Sequence, residues 1–301
     1  MSNEETRTDL RQGDLKIHVV GKVAEIALEE APNKTGVNAI TGYVSVKVSE
    51  KNQVRIRVNV PSQKNDGTPN DKVFPGIQTV MNEYKSIAKY GEEEADVIAV
   101  NGTLNPYRSN NTGQDVMSYQ SNFFSRVRST DWEPEATFDA EVYLSSMTPE
   151  MDKDGDETGR LIVKGIGVTF NGAEPIKFVV PKETANMFED NYEIGQTVEL
   201  WGDLVNERIE VIKETPVRFG VPKKDVSTTY RNELIIMGAS EPYEEGVTEK
   251  APYAKSAIDM ALQERENRIA EAGSKQLAAN NPYNNKNTAP SGAAKGRTLN
   301  F

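Results

Sequence analysis

The 301-residue chain has no Cys and a single His, His18, which excludes disulfides, thiolate metal sites and a histidine-based zinc centre; no metal or cofactor is expected. Its formal charge of -11 is uneven: residues 11–130 carry fifteen basic and thirteen acidic side chains, residues 131–220 eight against twenty, so a polyanion would be steered away from the middle of the chain. Residues 1–12 are polar and charged, and apolar runs of about eighteen residues are absent, so the expectation is a cytoplasmic protein without an export signal or a membrane span.

In chain order, residues 17–26 read as a long strand with Gly21 inside it. Residues 39–49 alternate, with Val44, Val46 and Val48 on one face and Tyr43, Ser45 and Lys47 on the other. Residues 53–60 alternate likewise, Val54, Ile56, Val58 and Val60 against Arg55, Arg57 and Asn59; the short polar link at 50–52 makes the two a hairpin. A polar loop follows Pro61, and then Ile77, Val80, Met81, Tyr84, Ile87 and Ala88 recur at helical spacing up to Gly91. Residues 96–104 and 116–128 supply two more strands. The second half repeats the order with strands at 137–146, 160–171 and 175–180, a short helix at 182–190, and strands at 197–204 and 207–213. Arg55–Pro61 parallels Ile176–Pro181, and Asp96–Leu104 parallels Gln196–Leu204, which points to an internal repeat.

The expected fold is therefore mainly β: two tandem five-stranded barrels of the oligonucleotide-binding type, each with a helix between its third and fourth strands. The first domain is placed at residues 14–130 and the second, acidic one at 136–215. An accessory strand (232–238) and helix (253–271) occupy 221–272, and a tail at 273–301, rich in Asn, Ala and Gly, cannot offset its own ordering entropy and is expected to be disordered. Residues 232–238 or the tail could mediate self-association.

The residues that suggest chemistry lie on the polar face of the first half. Tyr43, Lys47, Arg55 and Arg57 come from adjacent strands; Tyr107, Arg108, Tyr119, Phe123, Phe124, Arg126 and Arg128 lie in or beside the last loop and strand. Interleaved rings and cations on a sheet offer stacking surfaces for unpaired bases and charge for phosphates, and contacts of that kind are tolerant of sequence. The bland alternative is a solvated sheet face with Phe123 or Phe124 in the core. The second half is poorer: Lys164, Lys177 and Arg208 stand among excess acid, with Trp201 and Phe170 as possible stacking groups. Residues 152–159 resemble a calcium loop superficially, but Gly155 and Val163 stand where such a loop needs other residues, so an acidic hairpin loop is expected. Nucleophile elbows, phosphate-binding Gly-rich loops and His-Glu-x-x-His are absent, and an enzyme is not expected.

Strand order, the intervening helix and the basic-aromatic interleaving over residues 14–215 resemble the single-stranded DNA-binding proteins of the oligonucleotide-binding class, including versions encoded by phages of Gram-positive bacteria. The resemblance implies a non-catalytic scaffold that coats single-stranded DNA during replication or recombination, with Tyr43, Lys47, Arg55, Arg57 and the Tyr107–Arg108 loop as contacts and replication or recombination proteins as further partners. Bacterial members end in an acidic tail tipped by an apolar residue; here the final residues are Lys295, Gly296, Arg297, Thr298, Leu299, Asn300 and Phe301, with the aromatic tip but not the acid. The alternative function is a structural or assembly protein, such as a virion component, that uses the same domains for protein contacts.

Overall fold

The computed structural model describes residues 10–109, 112–215 and 223–279. Alternating segments become strands: β1 (Leu15–Pro32), β2 (Asn38–Lys47) and β3 (Gln53–Pro61) form an antiparallel meander. Gly42, at a φ of 135°, lets β2 lie against β1, because a Cβ there would stand 2.0 Å from the Ala27 carbonyl oxygen. The helical spacing after Pro61 yields α1 (Val73–Glu83), which buries Ile77 and Val80, and the single turn α2 (Ile87–Tyr90). β4 (Val97–Arg108), β5 (Asp115–Gln120) and β6 (Phe124–Arg126) complete the first half.

In the second half, β7 (Glu135–Met151), β8 (Glu157–Thr169) and β9 (Gly172–Val180) form another antiparallel meander, followed by α3 (Ala185–Asn191). The acidic 152–159 segment is the turn between β7 and β8, where one Asp152 carboxylate oxygen accepts the backbone N–H groups of Asp154 and Asp156. β10 (Thr197–Thr215) and β11 (Lys223–Ala239) then form a long antiparallel pair, and α4 (Lys255–Ala279) closes the described chain.

The expectation of two tandem five-stranded barrels is overturned. All eleven strands hydrogen-bond into one mixed sheet, in the order β10-β11-β9-β8-β7-β1-β2-β3-β5-β4-β6, with further pairings of β1 with β4 and of β10 with β7. The decisive contact is β1 with β7, in register from Leu15 opposite Ala140 to Val20 opposite Glu135. The first half of β1 thereby pairs on both edges, with β4 on one side and β7 on the other. A single buried cluster runs through both halves, from Val19, Val44 and Ile56 to Phe138, Phe178 and Leu200.

The strand boundaries near the C-terminal side also differ from expectation. Residues 197–204 and 207–213 belong to one strand, since Val205 and Asn206 offer no breaker, and residues 232–238 pair along β10 inside the chain. α4 places Ile258 and Ala261 against Tyr143, Ile166 and Val168 in a second, smaller cluster. Residues 280–301, most of the expected tail, lie outside the described residues.

Candidate nucleic-acid interface

β3 sets the geometry of the site. Val54, Ile56, Val58 and Val60 are at most 2% exposed, which turns Gln53, Arg55, Arg57 and Asn59 to solvent. Across the ladder Arg57 stands opposite Tyr43 and Arg55 opposite Ser45, so the Arg55 guanidinium reaches diagonally over the Tyr43 ring, 4.2 Å from its centroid. The Tyr43 hydroxyl donates to Glu25 at 3.3 Å. Ring and guanidinium are thus held as two planar surfaces before any ligand arrives. Among the described residues neither Arg55 nor Arg57 has a carboxylate partner.

The two arginines open onto a cleft of about 520 Å³, whose lining includes Ser45, Ser118, Tyr119, Asn206 and Asn232. Asn206 and Asn232 face each other across β10 and β11, so the second half of the chain supplies one wall. That wall is fixed by Asn52: its Nδ2 donates to the Leu204 carbonyl and its Oδ1 accepts the Asn206 N–H, both at 2.9 Å. Ser45 is 1% exposed, and its Oγ has no hydrogen-bond partner among the described residues. A buried hydroxyl left without a partner is costly, so Ser45 is a polar group beneath the cleft that the surrounding side chains do not satisfy.

The other sequence candidates separate into distinct places. Lys47 donates to Glu50 at 2.7 Å and to Glu92 at 3.0 Å, and these carboxylates push its pKa up. Arg126 pairs with Asp96 at 3.1 Å, donates to the Glu83 carbonyl at 2.7 Å and covers the Tyr84 ring at 4.2 Å, as a strut between β6 and the end of α1. Tyr119 is a core ring, 4% exposed, that lines the cleft; burial pushes its phenol pKa up, so it stays neutral. Arg108 lies 3.5 Å from Asp115, and Tyr107 points to the opposite face of β4 from the cleft-lining Pro106. Phe123 is exposed beside a half-buried Phe124 that packs on the core, and Arg128 is exposed beyond β6. Of these eleven, the structure brings together Tyr43, Arg55, Arg57 and Tyr119.

Ser45, Asn52, Asn206 and Asn232 escaped the sequence reading. Alternation put Ser45 on the solvent face, and isolated amides carry no periodic signal. Trp201 is half-exposed and lies flat against Gly238, where a Cβ would meet its indole nitrogen at 2.5 Å; the side chain of Arg208 lies outside the described residues. Among the described residues there is no group of three or more His, Cys, Asp or Glu able to hold a metal ion, and no helix is long and apolar enough to cross a membrane.

The chain is similar in structure to the wild-type single-stranded DNA binding protein from Thermus aquaticus, with a TM-score of 0.45 and 10% identity, over 80% of this chain and 98% of that one. A deletion mutant of the same Thermus aquaticus protein gives a TM-score of 0.45 and 11% identity, over 79% and 99%. Curated proteins give no match. Residues 15–275 match the YorF family, to which the chain belongs.

Proposed function

We propose that this protein binds single-stranded DNA, largely without regard to sequence, and acts as a non-catalytic scaffold in DNA replication or recombination. The observation that carries the proposal is the pair Arg55 and Arg57, unpaired by any described carboxylate, beside a pre-positioned Tyr43 at the mouth of a polar cleft. Arginine in that setting satisfies phosphate oxygens bidentately, while ring and guanidinium planes accept bases by their faces, which every base possesses. The amides of Asn206 and Asn232 complete a surface that can hydrogen-bond sugar and phosphate without selecting a base edge.

Anisotropy titrations of labelled oligothymidylate and of duplex over a series of salt concentrations test this. Single strands should bind more tightly than duplex, with affinity falling as salt rises by about 0.7 log units per log unit of salt for each phosphate neutralised. Equal affinity for duplex, or no binding at low salt, refutes it. A protein-assembly role draws on one separate observation: Met187, Trp201 and Met237 are exposed around an apolar hollow of about 350 Å³ on the second half.

A further inference from the structure

We propose that the bound strand does not stop at Arg55 and Arg57 but continues along a furrow between the two halves to a second phosphate-binding element formed by Lys164 and Lys177. This rests on the single-strand reading above and extends it to residues in the acidic half.

The path is continuous. A second cleft, of about 470 Å³, has Pro106 and Val116 on one side and Lys164, Pro175 and Lys177 on the other, and it shares Met117, Tyr119 and Asn232 with the first. Cations stand at both ends; Met117, Tyr119 and Asn232 line the stretch the clefts share, and Asp115 and Glu233 also line the second cleft. Each cleft falls in the size range of sites that enclose small ligands, about 300–1,000 Å³.

At the far end two like charges stand together without an ion-pair partner among the described residues. Lys164 and Lys177 are directly opposed across the β8–β9 ladder, and both are exposed. Like charges in that position repel, which weakens the pair of strands that carries them. Residues 131–220 hold twenty acidic side chains, yet none of the described ones is in ion-pair contact with either lysine. The carboxylates that border the furrow are instead occupied by arginines. Asp115 is held by Arg108 and Arg265, and Glu233 by Arg160 and Arg231, each of the latter two at 2.6 Å. The acids facing the furrow are thus neutralised while Arg55, Arg57, Lys164 and Lys177 have no ion-pair partner among the described residues, which suits an anionic chain lying along it.

The test uses the full chain, a series of oligothymidylates of increasing length, and three variants: Lys164→Gln/Lys177→Gln, Arg55→Gln/Arg57→Gln, and the charge-retaining Lys164→Arg/Lys177→Arg. For oligonucleotides long enough to span the furrow, the lysine-to-glutamine variant should lose about 1.4 units of salt slope and about 25-fold in affinity at about 0.1 M salt, as expected for two phosphate contacts. The shortest oligonucleotides that still bind should be held by the arginine end and show no such loss, and the lysine-to-arginine variant should bind as the natural protein does. The lysines are exposed and repel each other, so a melting temperature that holds or rises in the glutamine variant confirms that the loss is one of contacts. A full-length oligonucleotide that binds the glutamine variant with unchanged affinity and slope, while the Arg55/Arg57 variant is impaired, overturns the continued path and leaves the proposed function standing. Absence of single-strand binding by the natural protein overturns both.

Discussion

Replacing Arg265 by Ala should destabilise the protein in a way that depends on pH. Arg265 is 4% exposed and projects from α4; its Nε donates to Glu174 of β9 at 2.7 Å, and another arm reaches Asp115 of β5. One side chain therefore ties the C-terminal helix to both halves of the sheet. Removing one member of a buried ion pair costs about 3–5 kcal/mol, because the other charge stays behind without compensation. The outer arms contribute less, since Asp115 is 39% and Glu266 62% exposed. A discounted figure of about 2–4 kcal/mol follows from the Glu174 contact, equivalent to roughly 3–6 °C in melting temperature for a chain of this size.

The sign with pH comes from Glu174. Burial pushes its pKa up, and the Arg265 guanidinium opposes that rise. Without Arg265 the folded-state value climbs further above the unfolded one. An acid with a raised folded pKa gives stability that is complete below the unfolded value and is lost as pH rises through the folded value. Thermal denaturation of both proteins should show a small deficit near pH 4 and a larger one at about pH 7. A deficit of the same size at both would refute the argument, because lost helix packing alone does not titrate. The double variant Arg265→Met/Glu174→Met should recover most of the loss at about pH 7, as buried ion pairs exchanged for apolar side chains commonly do.

Arg55→Ala/Arg57→Ala should reduce the salt slope of single-strand binding by about 1.4 and the affinity by about 25-fold at about 0.1 M salt. Because both side chains are exposed, denaturant unfolding should shift by no more than about 0.5 kcal/mol. Tyr43→Leu should cost about 1–3 kcal/mol in binding while the salt slope holds, because it removes a stacking plane and no charge; a changed slope in the same titrations would argue against stacking. Glu199 lies against Asp139, and that contact together with burial raises its pKa, so its ionisation weakens the fold as pH rises. Glu199→Gln should therefore melt higher than the natural protein at about pH 7 and lose that advantage near pH 4, and equal differences at the two pH values would contradict it.

What could be read from sequence was set by local periodicity. The β3 pattern fixes which four residues face inward and turns Arg55 and Arg57 out, because a period of two admits no other arrangement on a half-buried strand. The three- and four-residue spacing from Ile77 to Tyr84 likewise fixes α1. What sequence does not disclose depends on distant partners. Lys47 and Arg126 alternate or cluster as binding residues do, yet Glu92, 45 residues from the first, and Asp96, 30 from the second, occupy them. Tyr119 turns inward because β5 aligns it with buried Ile56 in a parallel pairing, a register its six-residue strand does not announce. The joining of the halves escaped for the same reason: β1 meets β7 across more than a hundred residues, and neither strand carries a mark of a second partner.

The overall charge of -11 and a polyanion site are compatible once distance is considered. At an ionic strength of about 0.15 M, charges more than about 8 Å apart in solvent are largely screened, so acids elsewhere on residues 131–220 act weakly on a phosphate seated in the furrow. On the proposed path a phosphate would meet Arg55, Arg57, Lys164 and Lys177, while Asp115 and Glu233 already hold two arginines each. The remote acids then act chiefly on encounter: as salt is lowered, their repulsion lengthens in reach while the contact term strengthens. Association rates should accordingly gain less from low salt than they would for a basic protein with the same contacts, and the salt dependence of the affinity should appear mainly in dissociation.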